Sequence, residues 1–196
     1  MTMSQQVAQI KKQEIRALWE KNPNLKPRLD KVVVNLSVGQ AGETLQKAAQ
    51  VLEEMCQQKP NLVGAKKSIK EFNIRKGEKI AAVVTLRGDK AVDFIKRAMV
   101  EHDFKILRRS FDNAGNVSWG VKEHINVPGM KYDPNKGIFG FEITCKVVRP
   151  GQRVCVRKIR SSRIAKKQYV SKAEAIIFME ENFKAEVVDV IEVNMY

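Results

Sequence analysis

Two stretches of this chain alternate apolar and polar residues with a period of two, and both run in the same phase. In Asp30–Val38, Val32, Val34, Leu36 and Val38 point one way, while Lys31, Val33, Asn35 and Ser37 point the other. In Ile80–Arg87, Ala82, Val84 and Leu86 share one side and Val83, Thr85 and Arg87 the opposite one. A strand covered on both faces is apolar on both; these two are apolar on one. They predict a sheet with a single buried face, which argues against a doubly covered parallel sheet and for an antiparallel or mixed one.

Helical periodicity supplies the cover. Glu43–Gln57 carries a stripe of Leu45, Ala48, Ala49, Leu52, Met55 and Cys56, and Asp89–His102 carries Val92, Ile95 and Met99. Ahead of them, Ser4–Glu20 places Val7, Ile10, Ala17 and Leu18 near one helix face with Trp19 beside them. Asn22-Pro23-Asn24 and Lys26-Pro27 then break that helix. Further strands are expected at Val117–Val121, after the turn Asp112-Asn113-Ala114-Gly115-Asn116, and at Ile138–Val148, where Phe139, Phe141 and Ile143 share parity. Ser171 followed by Glu174 forms a capping box ahead of a helix with Ile176, Ile177, Met179 and Phe183 on its apolar side. The expectation is an α+β fold: a twisted, mostly antiparallel sheet with helices packed on one face and a polar opposite face. Its expected organisation is an N-terminal helical extension (1–28), one α+β domain (29–183) and an acidic tail (184–196).

Charge decides which partners such a face suits. With 36 Lys+Arg against 22 Asp+Glu in 196 residues, the formal net charge is +14, an attraction to polyphosphate or to an acidic surface. The excess is not spread evenly. Residues 146–172 hold basic residues and no acids, whereas residues 173–196 are net acidic. Within the first stretch, Arg153, Arg157, Lys158, Arg160, Arg163, Lys166 and Lys167 form a run suited to phosphate contact. A second basic stretch, 61–79, has glycines at 64 and 77 and reads as a hairpin or loop that reaches outward. On the sheet, Lys31 and Asn35 share a face of one strand, and Thr85 and Arg87 a face of the other. Were the strands neighbours, cations and hydrogen-bonding groups would form one platform, suited to the backbone and minor-groove shape of folded RNA.

Other chemistries find little support. Cys56, Cys145 and Cys155 are odd in number and form no close pair, which suits a reduced, intracellular protein. His102 and His124 belong to no ligand cluster, so no metal or cofactor is expected, and Cys145 alternates with Ile143 and Val147 as a packing residue. No nucleophile elbow, phosphate-binding glycine loop or dinucleotide fingerprint occurs. No apolar run approaches the roughly 20 residues of a membrane span, and residues 1–12 lack the apolar centre of a signal peptide. Gly39-Gln40-Ala41-Gly42 has the form of a KH clamp loop but follows a strand, so it reads as a tight turn. Lys136–Phe141 approaches the longer RNP signature with one residue too many, which turns its aromatics to the other face.

Several motifs together resemble one family. Lys31-Val32-Val33-Val34-Asn35-Leu36-Ser37-Val38-Gly39 is similar to the opening strand of the large-subunit ribosomal protein five family, which binds 5S rRNA. Gln58-Lys59-Pro60, Ala65-Lys66-Lys67-Ser68-Ile69 and Phe72-Asn73-Ile74-Arg75-Lys76-Gly77 resemble its central signature. Val84-Thr85-Leu86-Arg87-Gly88, the turn at Phe111–Asn116 and Glu123-His124-Ile125 continue the likeness in order. Lys131-Tyr132-Asp133-Pro134, Gly137-Ile138-Phe139-Gly140, Arg149-Pro150-Gly151 and Val170–Ala175 resemble the archaeal and eukaryotic branch. The resemblance implies a cytoplasmic, ribosome-associated structural protein in the central protuberance, with 5S rRNA, large-subunit rRNA, P-site tRNA and a small-subunit head protein as partners. It implies that Lys31, Asn35, Gln58, Lys66, Lys67, Thr85 and Arg87 face rRNA. It further implies that the loop with Ser68, Lys70, Arg75, Lys76 and Gly77 lies toward tRNA. Arg153, Arg157, Lys158, Arg160 and Arg163 are expected as additional RNA contacts. The competing readings are a free-standing regulatory module binding RNA or acidic protein and, ranked lowest, an enzyme using Asp112, Asp133 and His124.

Overall fold

The computed structural model describes residues 3–189 and, from Lys12 onward, their side chains. The side chains of Val7 and Ile10, and residues 190–196 of the expected acidic tail, lie outside the described residues. The chain divides into two compact units. One takes in residues 31–104 and 118–145; the other takes in residues up to 30, 105–117 and those from 146 on.

The two alternating segments are the strands β1 (Arg28–Ser37) and β3 (Lys79–Leu86), and they are neighbours. They pair antiparallel with Val32 opposite Leu86, Val33 opposite Thr85 and Asn35 opposite Val83. This register puts the apolar residues of both strands on one side. Val32, Val34, Leu36, Ala82, Val84 and Leu86 are all buried. With β2 (Asn61–Gly64), β5 (Asn116–Val121) and β6 (Phe141–Val148) they form a five-stranded sheet in the order β2-β3-β1-β6-β5.

In the unit holding residues 31–104, helices α2 (Glu43–Cys56) and α3 (Asp89–Val100) cover the apolar face. Buried Leu45, Ala48, Val51, Leu52, Met55 and Cys56 line α2, and Ala91, Phe94, Ile95, Ala98 and Met99 line α3. Each large apolar side chain buried in this way contributes about 1.5–3 kcal/mol. The Phe94 ring meets that of Phe141 at 6.5 Å between centroids, joining α3 to β6. Arg97 donates to the Met55 carbonyl (3.1 Å) near the C-terminal end of α2. Two expected positions differ. Ala49 and Val92 are half-buried, their places on the helix faces taken by Val51 and by Ala91, Phe94 and Ala98. Phe139 precedes β6 and is bound to the loop instead: its N–H donates to His124 Nδ1 (3.3 Å), and the His124 N–H donates to the Phe139 carbonyl (3.0 Å).

In the other unit, α1 (Met3–Lys21) packs with α5 (Lys172–Phe183). Trp19 is buried, but Leu18 is 55% exposed and Ala17 is exposed as well. The face turned inward carries Lys12, Ile15 and buried Trp19, and ion pairs Lys12–Glu180 (2.7 Å) and Arg16–Glu181 (2.8 Å) join the helix to α5. The capping box forms as expected: Ser171 Oγ accepts from the Glu174 N–H, and the Ser171 N–H donates to Glu174 Oε2 (2.9 Å). Strands β4 (Lys105–Leu107) and β7 (Glu186–Val188) pair in parallel as a separate small sheet. No helix among the described residues is long and apolar enough to cross a membrane.

Candidate nucleic-acid interface

The uncovered side of the five-stranded sheet follows from the same parity that builds the core. On β1 it presents Lys31, Val33, Asn35 and Ser37; on β3, Val83 and Thr85; on β2, Asn61 and Val63. β6 adds Glu142 and Thr144, and β5 adds Ser118 and Gly120. Strands lie 4.7–4.9 Å apart, so the five span about 19 Å from edge to edge. On this face Val33, Val83 and Val63 sit among hydrogen-bonding groups, and its polar atoms are partly organised already. Gln58, just after α2, donates from Nε2 to the Thr85 carbonyl (3.2 Å), which fixes an exposed amide beside the expected set. Ser118 Oγ donates to Thr144 Oγ1 (3.2 Å), and Asn35 Nδ2 reaches Glu142 Oε2 at 3.5 Å. Arg87, exposed, follows the last residue of β3 and is engaged in an interaction of its own.

The structure therefore brings Lys31, Asn35 and Thr85 onto one face, with Gln58 tied to it. Lys66 and Lys67 stand apart from these, exposed where β2 leads into the second basic element. That element is a closed hairpin, not a slack loop. Ala65 N–H donates to the Glu78 carbonyl (2.8 Å), and Gly77 N–H donates to the Ala65 carbonyl (2.9 Å). Ile69 and Ile74 exchange backbone bonds of 2.9 and 3.1 Å. Ser68 Oγ accepts from the Lys76 N–H (2.9 Å), and Glu78 Oε2 accepts from the Arg75 N–H (2.8 Å). Gly77 has a φ of +89°, and its carbonyl would lie 2.8 Å from a Cβ on Gly64, so the hairpin stem needs both glycines. The closed stem leaves Lys70, Arg75 and Lys76 exposed, as is Phe72 at 67%. Exposed cations and an accessible aromatic ring on one hairpin can take phosphate and stack on a base.

The third group lies in the unit that contains α5. Arg153 opens α4 (Arg153–Val156), and Arg157 Nε donates to the Arg160 carbonyl (2.8 Å), curling the segment so that Arg157, Lys158, Arg160 and Arg163 are exposed. Both ends of this segment are held by one side chain. Arg149 donates from Nη1 to the Lys167 carbonyl (2.6 Å) and from Nη2 to Glu174 Oε1. Burial alone would raise the Glu174 carboxyl. Hydrogen bonds from the Ser171 backbone and from the Arg149 and Ser171 side chains outweigh it and hold the group below the ordinary carboxylate range.

Among the described residues no three His, Cys, Asp or Glu side chains cluster as metal ligands. Asp112 is committed to its turn, accepting from the Ala114 and Asn116 N–H groups at 2.8 and 2.7 Å. His124 is buried, with its basicity lowered by desolvation and its ring bound to the Phe139 N–H. Among the open-face residues that the sequence pattern did not single out is Glu142, the carboxylate of β6. The alternation Phe141, Ile143, Cys145 against Glu142, Thr144 was available, but which strand Glu142 would join was not.

Known proteins resemble this chain over most of its length. A family model described as ribosomal protein L5 matches residues 22–75, and the model for the C-terminus of the same ribosomal family matches residues 79–178. The large ribosomal subunit protein uL5 of Aeropyrum pernix is 45% identical over 171 residues, 87% of this chain and 89% of its own. That of Methanococcus vannielii is 46% identical over 176 residues, 87% of this chain and 96% of its own. That of Pyrobaculum aerophilum is 49% identical over 152 residues, 78% and 85% of the two chains. The chain belongs to the ribosomal protein L5 family, whose members are structural, non-enzymatic constituents of the ribosome.

Proposed function

We propose that this protein is a structural component of the large ribosomal subunit, working in the cytoplasm on the ribosome, that binds 5S rRNA and helps attach it in the central protuberance. The open sheet face takes the 5S rRNA, with Lys31 and Arg87 meeting phosphates and Asn35, Gln58 and Thr85 meeting sugar hydroxyls and base edges. The hairpin carrying Ser68, Lys70, Arg75, Lys76 and Gly77 lies toward P-site tRNA and the bridge to the small-subunit head. Lys66, Lys67, Arg153, Arg157, Lys158, Arg160 and Arg163 meet further rRNA phosphates. The observation that carries the reading is the β1–β3 register, which aligns Lys31, Asn35 and Thr85 on a face that no helix of the same unit covers. A-form RNA offers a wide, shallow minor groove lined by 2′-hydroxyls, and a sheet presenting short neutral hydrogen-bonding groups suits that shape.

Footprinting and filter binding with 5S rRNA test the division of labour. Asn35→Ala should cost about 3–10-fold in affinity, the worth of one neutral hydrogen bond, and Arg87→Ala more than tenfold. Replacing Lys70 and Lys76 together should leave 5S rRNA affinity near wild type and change tRNA-dependent behaviour instead. Equal losses from both sets would refute the assignment. Protein found in the post-ribosomal supernatant after a high-salt wash, absent from large subunits, would favour the free-standing regulatory module.

A further inference from the structure

At one end of the open face the sheet sinks into a depression of about 380 Å³, walled by Asn35, Ser37, Glu142 and Lys122 and floored by Gly120 and Gly140. The two glycines are there for different reasons. A Cβ on Gly140 would lie 2.9 Å from the Lys122 carbonyl, so the close approach of the chain requires glycine. A Cβ on Gly120 would meet nothing nearer than the Phe141 carbonyl at 4.0 Å, and its φ is not in the left-handed region. Gly120 answers no packing or conformational demand, and a strand interior without one normally disfavours glycine. Without a side chain there, the space a Cβ would take stays open.

Glu142 is the second anomaly. Of the described strand residues on this face, it is the one carboxylate, on a chain of net charge +14 whose proposed partner is a polyanion. Its one hydrogen bond among the described residues is the 3.5 Å contact with Asn35 Nδ2, at the limit of bonding distance. A carboxylate only accepts hydrogen bonds and repels phosphate, so against RNA its donors are 2′-hydroxyls or N–H groups on a base edge, and only a base edge offers two adjacent N–H donors to its two oxygens. Adenine and cytosine set one amino group beside a ring acceptor on their Watson–Crick edge, and uracil sets its imino group between two carbonyls. Guanine alone offers two adjacent donors, matching the two oxygens of a carboxylate.

We propose that this depression is a nucleobase site for an unpaired guanine. Glu142 accepts from its imino and exocyclic amino N–H groups, the open space at Gly120 lets the ring approach the sheet, and Lys122 at the rim meets an adjoining phosphate. The site rests on the RNA-binding reading above and deepens it by naming a base where the rest of the face reads shape. Bases splayed from loops and bulges are the usual targets of sequence-specific RNA recognition.

Kethoxal, which reacts at N1 and N2 of unpaired guanines, probes the atoms involved. The experiment treats 5S rRNA with kethoxal alone and with the full chain in three forms: wild type, Glu142→Gln and Gly120→Val. Wild type should protect a guanine that is reactive in free RNA. Glu142→Gln, whose amide N–H₂ opposes the guanine donors, should restore that reactivity and lower affinity about tenfold. Gly120→Val should do the same through filling the floor, while its thermal unfolding stays at or above wild type, since valine favours a strand. Wild type that binds without protecting any guanine, or a protection unchanged in Glu142→Gln, overturns the inference and leaves the RNA-binding reading standing. Wild type that fails to bind 5S rRNA overturns both.

Discussion

Arg149 is the side chain whose loss should be felt most in the unit that carries the basic segment. It is 12% exposed and its partner Glu174 10%. Its guanidinium joins the Lys167 carbonyl to a carboxylate that also closes the α5 capping box. Arg149→Met keeps the aliphatic bulk and removes the charge. The Glu174 carboxylate then retains its two bonds from Ser171, from the backbone N–H and from Oγ (2.9 Å each), but stays buried without a counter-charge. Stripping one partner from a buried pair costs about 3–5 kcal/mol. Removing both, as Arg149→Met with Glu174→Leu, leaves no orphaned charge, so the double variant should be more stable than Arg149→Met alone. Its residual loss should be about 1 kcal/mol, from the broken cap. Urea unfolding followed by far-ultraviolet dichroism measures all three. An Arg149→Met loss below about 1 kcal/mol, the range of surface pairs, would refute the reasoning. So would simple additivity of the two changes.

The pH profile gives the same pair a second reading. Glu174 titrates below its ordinary range in the folded chain, so its ionised form adds stability that is fully present above its unfolded value. That stability is lost as the pH falls through the folded one. In Arg149→Met the guanidinium no longer opposes burial, and the carboxyl moves upward. The acid limb of the stability curve should therefore shift to higher pH in this variant.

Three further outcomes follow from particular residues. Cys56, pushed up to about 12 by burial, and Cys145, raised further by burial, should resist maleimide in the native state, while half-buried Cys155 reacts; mass spectrometry with and without urea reads the difference. Gly115 has a φ of +80°, and a Cβ there would lie 2.7 Å from Val170 Cβ, so Gly115→Ala should cost about 2–4 kcal/mol in thermal or urea unfolding. Removing Arg157 and Arg163 together should flatten the dependence of log affinity for rRNA on log salt by about 2, whereas Asn35→Ala should lower affinity at unchanged slope.

Parity within a strand was legible from the sequence; relations between strands were not. Val32, Val34 and Leu36 on one side and Lys31 and Asn35 on the other follow from the period of two, and the structure keeps them so. That Thr85 sits opposite Val33, or that β6 lies beside β1 and brings Glu142 to Asn35, depends on strand order, which no local pattern encodes. The three-residue strands β4 and β7 are too short for alternation to register and pair across some eighty residues. The first helix shows a different limit. Ala17 and Leu18, expected on the apolar face, are exposed, while Trp19 is buried and Lys12 and Arg16 reach acids on α5. Charges at a contact look like solvent-facing residues until the partner is known.

The same distinction separates attraction from fit. Most of the exposed cations lie off the open face, nearly half of them on the hairpin and in the acid-free segment 146–172. Those groups sit on curled backbone, where a cation can find phosphates over a range of geometries but imposes little register. The open face is sparser in charge and more constrained. Gln58 is bonded to a strand carbonyl, Ser118 to Thr144, and Asn35 to Glu142. Neutral groups held by a sheet lose little freedom on binding, so each bond to RNA retains more of its worth than the same bond from a mobile lysine. A chain built this way should lose most of its affinity to salt and most of its specificity to substitutions that leave its net charge unchanged.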